Sequence, residues 1–152
     1  MVAIPSFDKF LKEHRNVFID TNLFIYFVEK HPRYYTACSH IFKYIEAGHI
    51  KASTSTLSLL EILVQPYRQN KDDLILKFYA LLTTYPNLTW IPLTLETADI
   101  AARLRAEYNL KTPDSIQAAS AIISGSSGFI CNDSVFRKIK EINCLVLDDY
   151  AI

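Results

Sequence analysis

Apolar positions along this chain follow two alternating periods. Short runs of strand length at residues 17–19, 50–54, 88–93, 128–131 and 144–147 are separated by longer segments in which apolar residues recur every three or four positions. Residues 5–14 place Phe7, Phe10 and Leu11 on one helical face and predict a short lid helix before the first strand. Residues 22–29 predict the first core helix, ended by His31-Pro32, because the residue before proline disfavours α geometry. Residues 36–47 predict its partner in an αα-hairpin, apolar at Ala37, Ile41, Tyr44 and Ile45 and closed by Gly48.

The later punctuation is equally local. Thr54, Ser55 and Thr56 offer caps for a helix carrying Leu57, Leu60, Glu61 and Val64, which Pro66 stops. Residues 71–84 form an amphipathic helix with Leu74, Phe78, Leu81 and Leu82 on one side, closed by Pro86. Thr94 caps a helix running to about Tyr108 that buries Ala98, Ala101, Ala102 and Leu104. Thr112 as N-cap, with Pro113 in the first helical position, opens the run DSIQAASAII, which Gly125 ends. A short helix over residues 134–140 precedes the last strand.

Strands alternating with helices predict a parallel sheet of four to five strands covered on both faces, an α/β three-layer sandwich. With 152 residues, half of them apolar, the chain is expected to form one domain over residues 1–152, residues 1–16 being an N-terminal helical extension. Lysine plus arginine equals aspartate plus glutamate at 16 each, so there is no broad cationic field and any polyanion site is local. Cys38, Cys131 and Cys144 are odd in number and lack CxxC spacing, which suits reduced, buried thiols. No apolar run approaches the roughly 18 residues that span a bilayer, and the first residues lack a signal-peptide core. A cytoplasmic protein with no membrane association is expected.

The three glycines, Gly48, Gly125 and Gly128, cannot build a GxGxxG turn or a phosphate-binding P-loop, which argues against dinucleotide and nucleotide-kinase chemistry. Four acids take the place of such a loop. Asp20 ends the first strand in VFIDTN, with Asn22 capping the next helix; Glu61 follows the second strand, Asp114 opens the alanine-rich helix, and Asp133 follows the fourth strand in FICNDSVF. In a parallel sheet the carboxyl ends of strands and the first turns of following helices share one edge, so these acids converge on one cleft. Carboxylates held together resist ionising together, and a hard divalent cation such as magnesium or manganese relieves the repulsion. Each acid also has a structural explanation. Asp20 and Asp133 suit turns or caps, and Asp114 suits the positive end of a helix dipole. Glu61 interrupts the apolar run LSLLEILV, where a charge needs a partner.

Taken in order, VFIDTN, STLSLLEIL, TPDSIQAASA and FICNDSVF resemble the PIN-domain nucleases, in particular the VapC-type toxins of toxin–antitoxin pairs, over nearly all of residues 17–147. The resemblance implies a PIN-like fold and a metal-dependent endoribonuclease in which Asp20, Glu61, Asp114 and Asp133 hold Mg2+ or Mn2+. It further implies Asn22 as a supporting residue, a homodimer, and a partner antitoxin that covers the cleft. Two positions depart from the pattern. Cys131 stands where many relatives have a hydroxyl that helps order the site, and Val135 stands where a further acid often supports a second ion.

In such a site, metal-activated water attacks phosphorus in line and no histidine is required. His14, His31, His40 and His49 form no HxH or HExxH pattern and read as structural. Asn132 is a supporting neighbour of Asp133, while Arg137, Lys138 and Arg33 are candidate RNA-binding cations or plain solvated surface. A phosphoacceptor domain or a haloacid-type phosphatase would want a second acid beside Asp20, which IDTN does not supply. The remaining alternative is a catalytically inactive PIN-like binding module that acts through protein or RNA contacts.

Overall fold

Val17, Phe18 and Ile19, all fully buried, form the middle of the molecule as β1 (Asn16–Ile19). The computed structural model describes residues 4–150. The helix α1 (Ile4–Glu13) precedes β1, and α2 (Thr21–Val28) and α3 (Tyr35–Glu46) lead to β2 (Lys51–Ser55). Next come α4 (Thr56–Arg68), α5 (Asp72–Thr83), β3 (Leu88–Ile91), α6 (Leu95–Tyr108) and α7 (Thr112–Ile123). The chain closes with β4 (Gly128–Cys131), a 3-10 turn over Ser134–Lys138, β5 (Asn143–Val146) and a second 3-10 turn over Leu147–Asp149.

All five strands are parallel, in the order β3-β2-β1-β4-β5. The chain winds outward from β1 to β3, then crosses back to lay β4 on the other side of β1. The switch point therefore lies between β1 and β4, where open α/β sheets place their ligand crevice beyond the carboxyl ends. Register sets Phe18 against Phe129 and Ile19 against Ile130, so Asp20 and Cys131 lie at that end.

The period of two divides the core into two layers. Val17, Ile19, Ile130 and Leu145 face the apolar sides of α1 to α5, whereas Phe18, Phe129, Cys131 and Val146 face α6, α7 and the first 3-10 turn. Phe18 and Phe129 stack with centroids 5.3 Å apart, and Phe136 closes on Phe129 at 4.5 Å. Burying one such ring contributes about 1.5–3 kcal/mol. The α/β three-layer sandwich expected from the sequence is thus the fold that forms, with five strands.

Several local expectations are corrected. Helix α1 is no lid: Phe7 and Leu11 belong to the core, and Phe10 and His14 close on the start of β4. Pro66 does not stop α4, which continues to Arg68; the buried ring sits in the last turn, where only one helical bond is forfeited, and Asn70 turns the chain at φ 52°. The cap of α7 is Lys111, so Thr112 and Pro113 are already helical. On α6, Ala98 and Ala102 are exposed, and Thr97 joins Ala101 and Leu104 inside because its hydroxyl bonds Thr94. Among the described residues no helix is long and apolar enough to cross a membrane.

Candidate active site

The backbone N–H of Asp20 donates to the Ile130 carbonyl at 3.0 Å, extending the β1–β4 ladder by one residue before the chain turns into α2. Asp20 occupies the N-cap position, but its side chain does not cap the helix by bonding the next turn. Asn22, expected as the cap, lies inside the first turn and is exposed. The Asp20 carboxyl is only 8% exposed and points toward the crevice, where its Oδ1 accepts from Gln117 Nε2 at 3.1 Å. Burial pushes its pKa up to about 7, and the fields of Glu61 and Asp114 add to this, against hydrogen bonds from the Thr21 backbone and Gln117.

Glu61 is half-buried on α4, and the partner its position demands is Thr21, whose hydroxyl donates to Oε1 at 2.8 Å. Asp114, in the first turn of α7, is half-buried. Its pKa is raised by burial and by Asp133, with Lys111 and Lys138 opposing. Asp133 is exposed; its Oδ1 accepts the Val135 N–H at 2.9 Å, capping the 3-10 turn, so the bland role as a cap is present. It nevertheless lines the same cavity as the other three. That cavity, of about 250 Å³, is bounded by Asp20, Thr21, Asn22, Glu61, Asp114 and Asp133, with Ile25, Pro113 and Gln117 completing the wall.

The supporting residues divide. Cys131 is buried at the end of β4, and its thiol donates to the Asp133 carbonyl at 3.5 Å, holding the turn on which Asp133 sits. A hydrogen bond with Cys144 and burial hold this thiol in its protonated form. Asn132 faces away from the cavity: its amide donates to Tyr26 Oη at 3.2 Å and its oxygen accepts the Asp148 N–H at 3.0 Å, tying α2 to the end of β5. Arg33 and Arg137 do not line the cavity and pair with Asp148 and Asp149. Lys138, by contrast, is close enough to influence Asp114. His14, His31 and His40 are engaged by Ser127, by the backbone of Arg33 and Tyr34, and by Asp8, and no histidine lines the cavity.

Sequence reasoning missed Thr21, Ser58, Gln117 and Lys111. Ser58 and Gln117 are buried polar residues within otherwise apolar or small helical faces, the same signal that singled out Glu61. The donors around the cavity are carboxylate, hydroxyl and amide oxygens without sulfur or imidazole, which suits a hard divalent cation such as magnesium or manganese. Among the described residues no three His, Cys, Asp or Glu are already drawn together as a closed metal cluster. The four acids line one cavity, and the fields of Glu61 and Asp114 act on Asp20 as those of Asp133 and Glu61 act on Asp114.

The PIN domain family model matches residues 17–142. No curated protein matches the chain significantly. Among solved structures, the chain is similar to VapBC2 from Rickettsia felis bound to a promoter DNA fragment, at 18% identity and a TM-score of 0.67, covering 86% of this chain and 98% of that one. It is also similar to a toxin–antitoxin complex from Klebsiella pneumoniae, at 21% identity and a TM-score of 0.64, covering 83% and 94%. DNA-bound VapBC from Salmonella typhimurium follows at 18% identity and a TM-score of 0.63, covering 86% and 97%. At these identities the likeness is one of fold. Four acids at the switch point of a five-stranded parallel sheet, together with a family match across most of the sequence, place this chain in the PIN-domain family.

Proposed function

We propose that the protein is a metal-dependent endoribonuclease, hydrolysing RNA phosphodiester bonds as the toxin of a toxin–antitoxin pair. The observation that carries this reading is the gathering of Asp20, Glu61, Asp114 and Asp133 from four separate segments around one cavity at the switch point. Asp20, Glu61 and Asp114 are the residues to hold Mg2+ or Mn2+, with Asp133 at the open rim. A bound ion supplies the charge that makes a neighbouring water nucleophilic and offsets negative charge at phosphorus.

The protein's own residues do the rest. Asp20, largely withdrawn from water, is still partly protonated near neutral pH, so binding a cation would release the proton that burial favours. Lys111 and Lys138, which offset the charge of Asp114, are the cations nearest the acids and so the proposed contacts for a backbone phosphate. They take precedence as phosphate contacts over Arg33 and Arg137, which are paired. Asn22, exposed on the cavity wall, is placed to hydrogen-bond substrate. Cys131 takes over the ordering role of a hydroxyl through its bond to the Asp133 carbonyl.

An antitoxin partner fits the fold shared with toxin–antitoxin complexes, and a homodimer is proposed beside it. Both fit the apolar side chains exposed on α4 and α5, Leu60, Tyr67, Leu76 and Tyr79. The free thiols suit a reducing cytoplasm. Melting with manganese tests the site: at an ion concentration 100 times its dissociation constant, the domain gains about 2.7 kcal/mol. No gain in any divalent ion would leave an inactive PIN-like binding module as the better description.

A further inference from the structure

Gln117 lies one helical turn beyond Asp114 on α7 and is 2% exposed. Its Nε2 is within hydrogen-bond reach of three oxygens: Asp20 Oδ1 at 3.1 Å, Thr21 Oγ1 at 3.1 Å and Ser58 Oγ at 2.9 Å. The reverse orientation of the amide would set its oxygen against the Asp20 carboxylate, so the N–H groups face the site.

Counting protons gives the network a direction. Thr54 gives its hydroxyl hydrogen to the Ile19 carbonyl at 2.8 Å, which leaves its oxygen free to accept from Ser58 at 3.0 Å. Ser58 then accepts from Gln117. Thr21 gives its hydrogen to Glu61 Oε1 at 2.8 Å and likewise accepts from Gln117. The amide has two hydrogens for three oxygens, so one goes to Asp20 and the other is shared between Thr21 and Ser58, whose hydroxyls lie 3.0 Å apart; both carboxylates end as acceptors. Gln117 Oε1 has no partner among the described residues although it is buried. An amide kept only for packing has no reason to bear that cost, since an apolar side chain of the same size would avoid it.

We propose that Gln117 is a positioning residue that turns Asp20, and through Thr21 also Glu61, into the cavity as paired acceptors for a divalent cation, a role that rests on the nuclease reading. Gln117 holds two ligands from two different elements, α4 and the end of β1, with a single group from a third, α7. It acts through those ligands and does not touch substrate. Its loss leaves the carboxylates in place but free to rotate, and neighbours of metal ligands in this position typically govern about 10–100-fold in affinity.

The test is calorimetric titration of manganese into chelator-stripped protein. The variants are Gln117→Leu, which keeps the volume and removes both N–H groups, and Thr21→Val, which removes the hydroxyl joining Gln117 and Ser58 to Glu61 and leaves the Gln117–Asp20 bond in place. Phe42→Leu on α3 serves as a control for destabilisation away from the cavity. Gln117→Leu is expected to weaken manganese binding at least tenfold, Thr21→Val in the same direction, and Phe42→Leu not at all. Cleavage of RNA by the first two variants should recover as manganese is raised in proportion. Wild-type affinity in both site variants would overturn the positioning role, as would equal weakening in all three. Should Gln117→Leu fail to fold, Thr21→Val decides the matter alone. Absence of manganese binding by the unaltered protein would instead refute the nuclease reading itself.

Discussion

Replacing Asp20 with asparagine is expected to stabilise the metal-free protein above neutral pH while abolishing its response to metal. The Asp20 carboxyl is almost wholly buried, and its pKa stands at about 7 against the usual 3.8. Below pH 3.8 the group is protonated in both folded and unfolded chains and costs nothing. As pH rises from 3.8 toward 7 the unfolded chain loses its proton and the folded one retains it, so stability falls across that window and levels off above it. At roughly 1.4 kcal/mol per pH unit, the interval between 3.8 and about 7 amounts to about 4 kcal/mol. For a chain of this length that corresponds to a melting-temperature difference on the order of 10 °C.

Asparagine occupies the same space, still offers an oxygen to Gln117 and carries no charge. Thermal unfolding in chelator from pH 4 to pH 8.5 should show the wild type losing this stability on the way up and Asp20→Asn losing little, the two curves diverging most above pH 7. Excess manganese at pH 8 should raise the wild-type melting temperature and leave the variant unmoved. A variant less stable than the wild type at pH 8 in chelator would refute the reasoning. Parallel pH profiles would do the same, because they would mean that Asp20 is solvated or already paired with a cation of the protein.

Other substitutions test other parts of the account. Phe18→Ala removes a ring stacked on Phe129 and should cost about 3–5 kcal/mol in chemical denaturation, with unchanged manganese affinity in whatever fraction remains folded. Gly128→Val should be destabilising by about 1–3 kcal/mol, because a Cβ there meets His14 Cβ at 2.9 Å and the Phe10 ring at 3.0 Å; a neutral result would mean that α1 is held more loosely than its contacts imply. Lys111→Ala and Lys138→Ala together should weaken RNA binding at low salt and reduce the salt slope by about 1–2, leaving manganese affinity within a fewfold; an unaltered slope would remove them from the substrate path.

The centre of the sheet was legible because β1 and β4 are short apolar runs set between helices of clear period, each followed by a polar residue. VFI before Asp20 and GFIC before Asn132 end where the pattern breaks, and the structure ends β1 and β4 there. Helix ends were less legible. Pro66 reads as a stop, yet a proline in the last turn of α4 forfeits only one bond and fills the core, and no local signal separates the two cases. The exposure of Ala98 and Ala102 was hidden because alanine fits either face of a helix.

At the site, acids on strand ends and first turns could be named because topology alone brings such positions to one edge. What holds them there could not. Thr21 reaches Glu61 across 40 residues of chain, and Gln117 reaches Asp20 across 97, contacts fixed only once α4 and α7 pack beside β1. The pairing of Arg33 and Arg137 with Asp148 and Asp149 is likewise invisible before β5 brings its end alongside; of the three expected cations it leaves Lys138, which Lys111 joins as a proposed phosphate contact.

The most direct test of the central claim is cleavage of a pool of structured RNAs by the purified protein with magnesium, with manganese and with chelator, beside an Asp20→Asn variant. The account predicts cutting by the wild type in either metal, none in chelator, and a loss in the variant that added metal does not restore. Cutting that persists in chelator or in the variant would contradict the assignment of the four acids as a metal site. Silence in every condition from folded protein would contradict the nuclease reading as a whole.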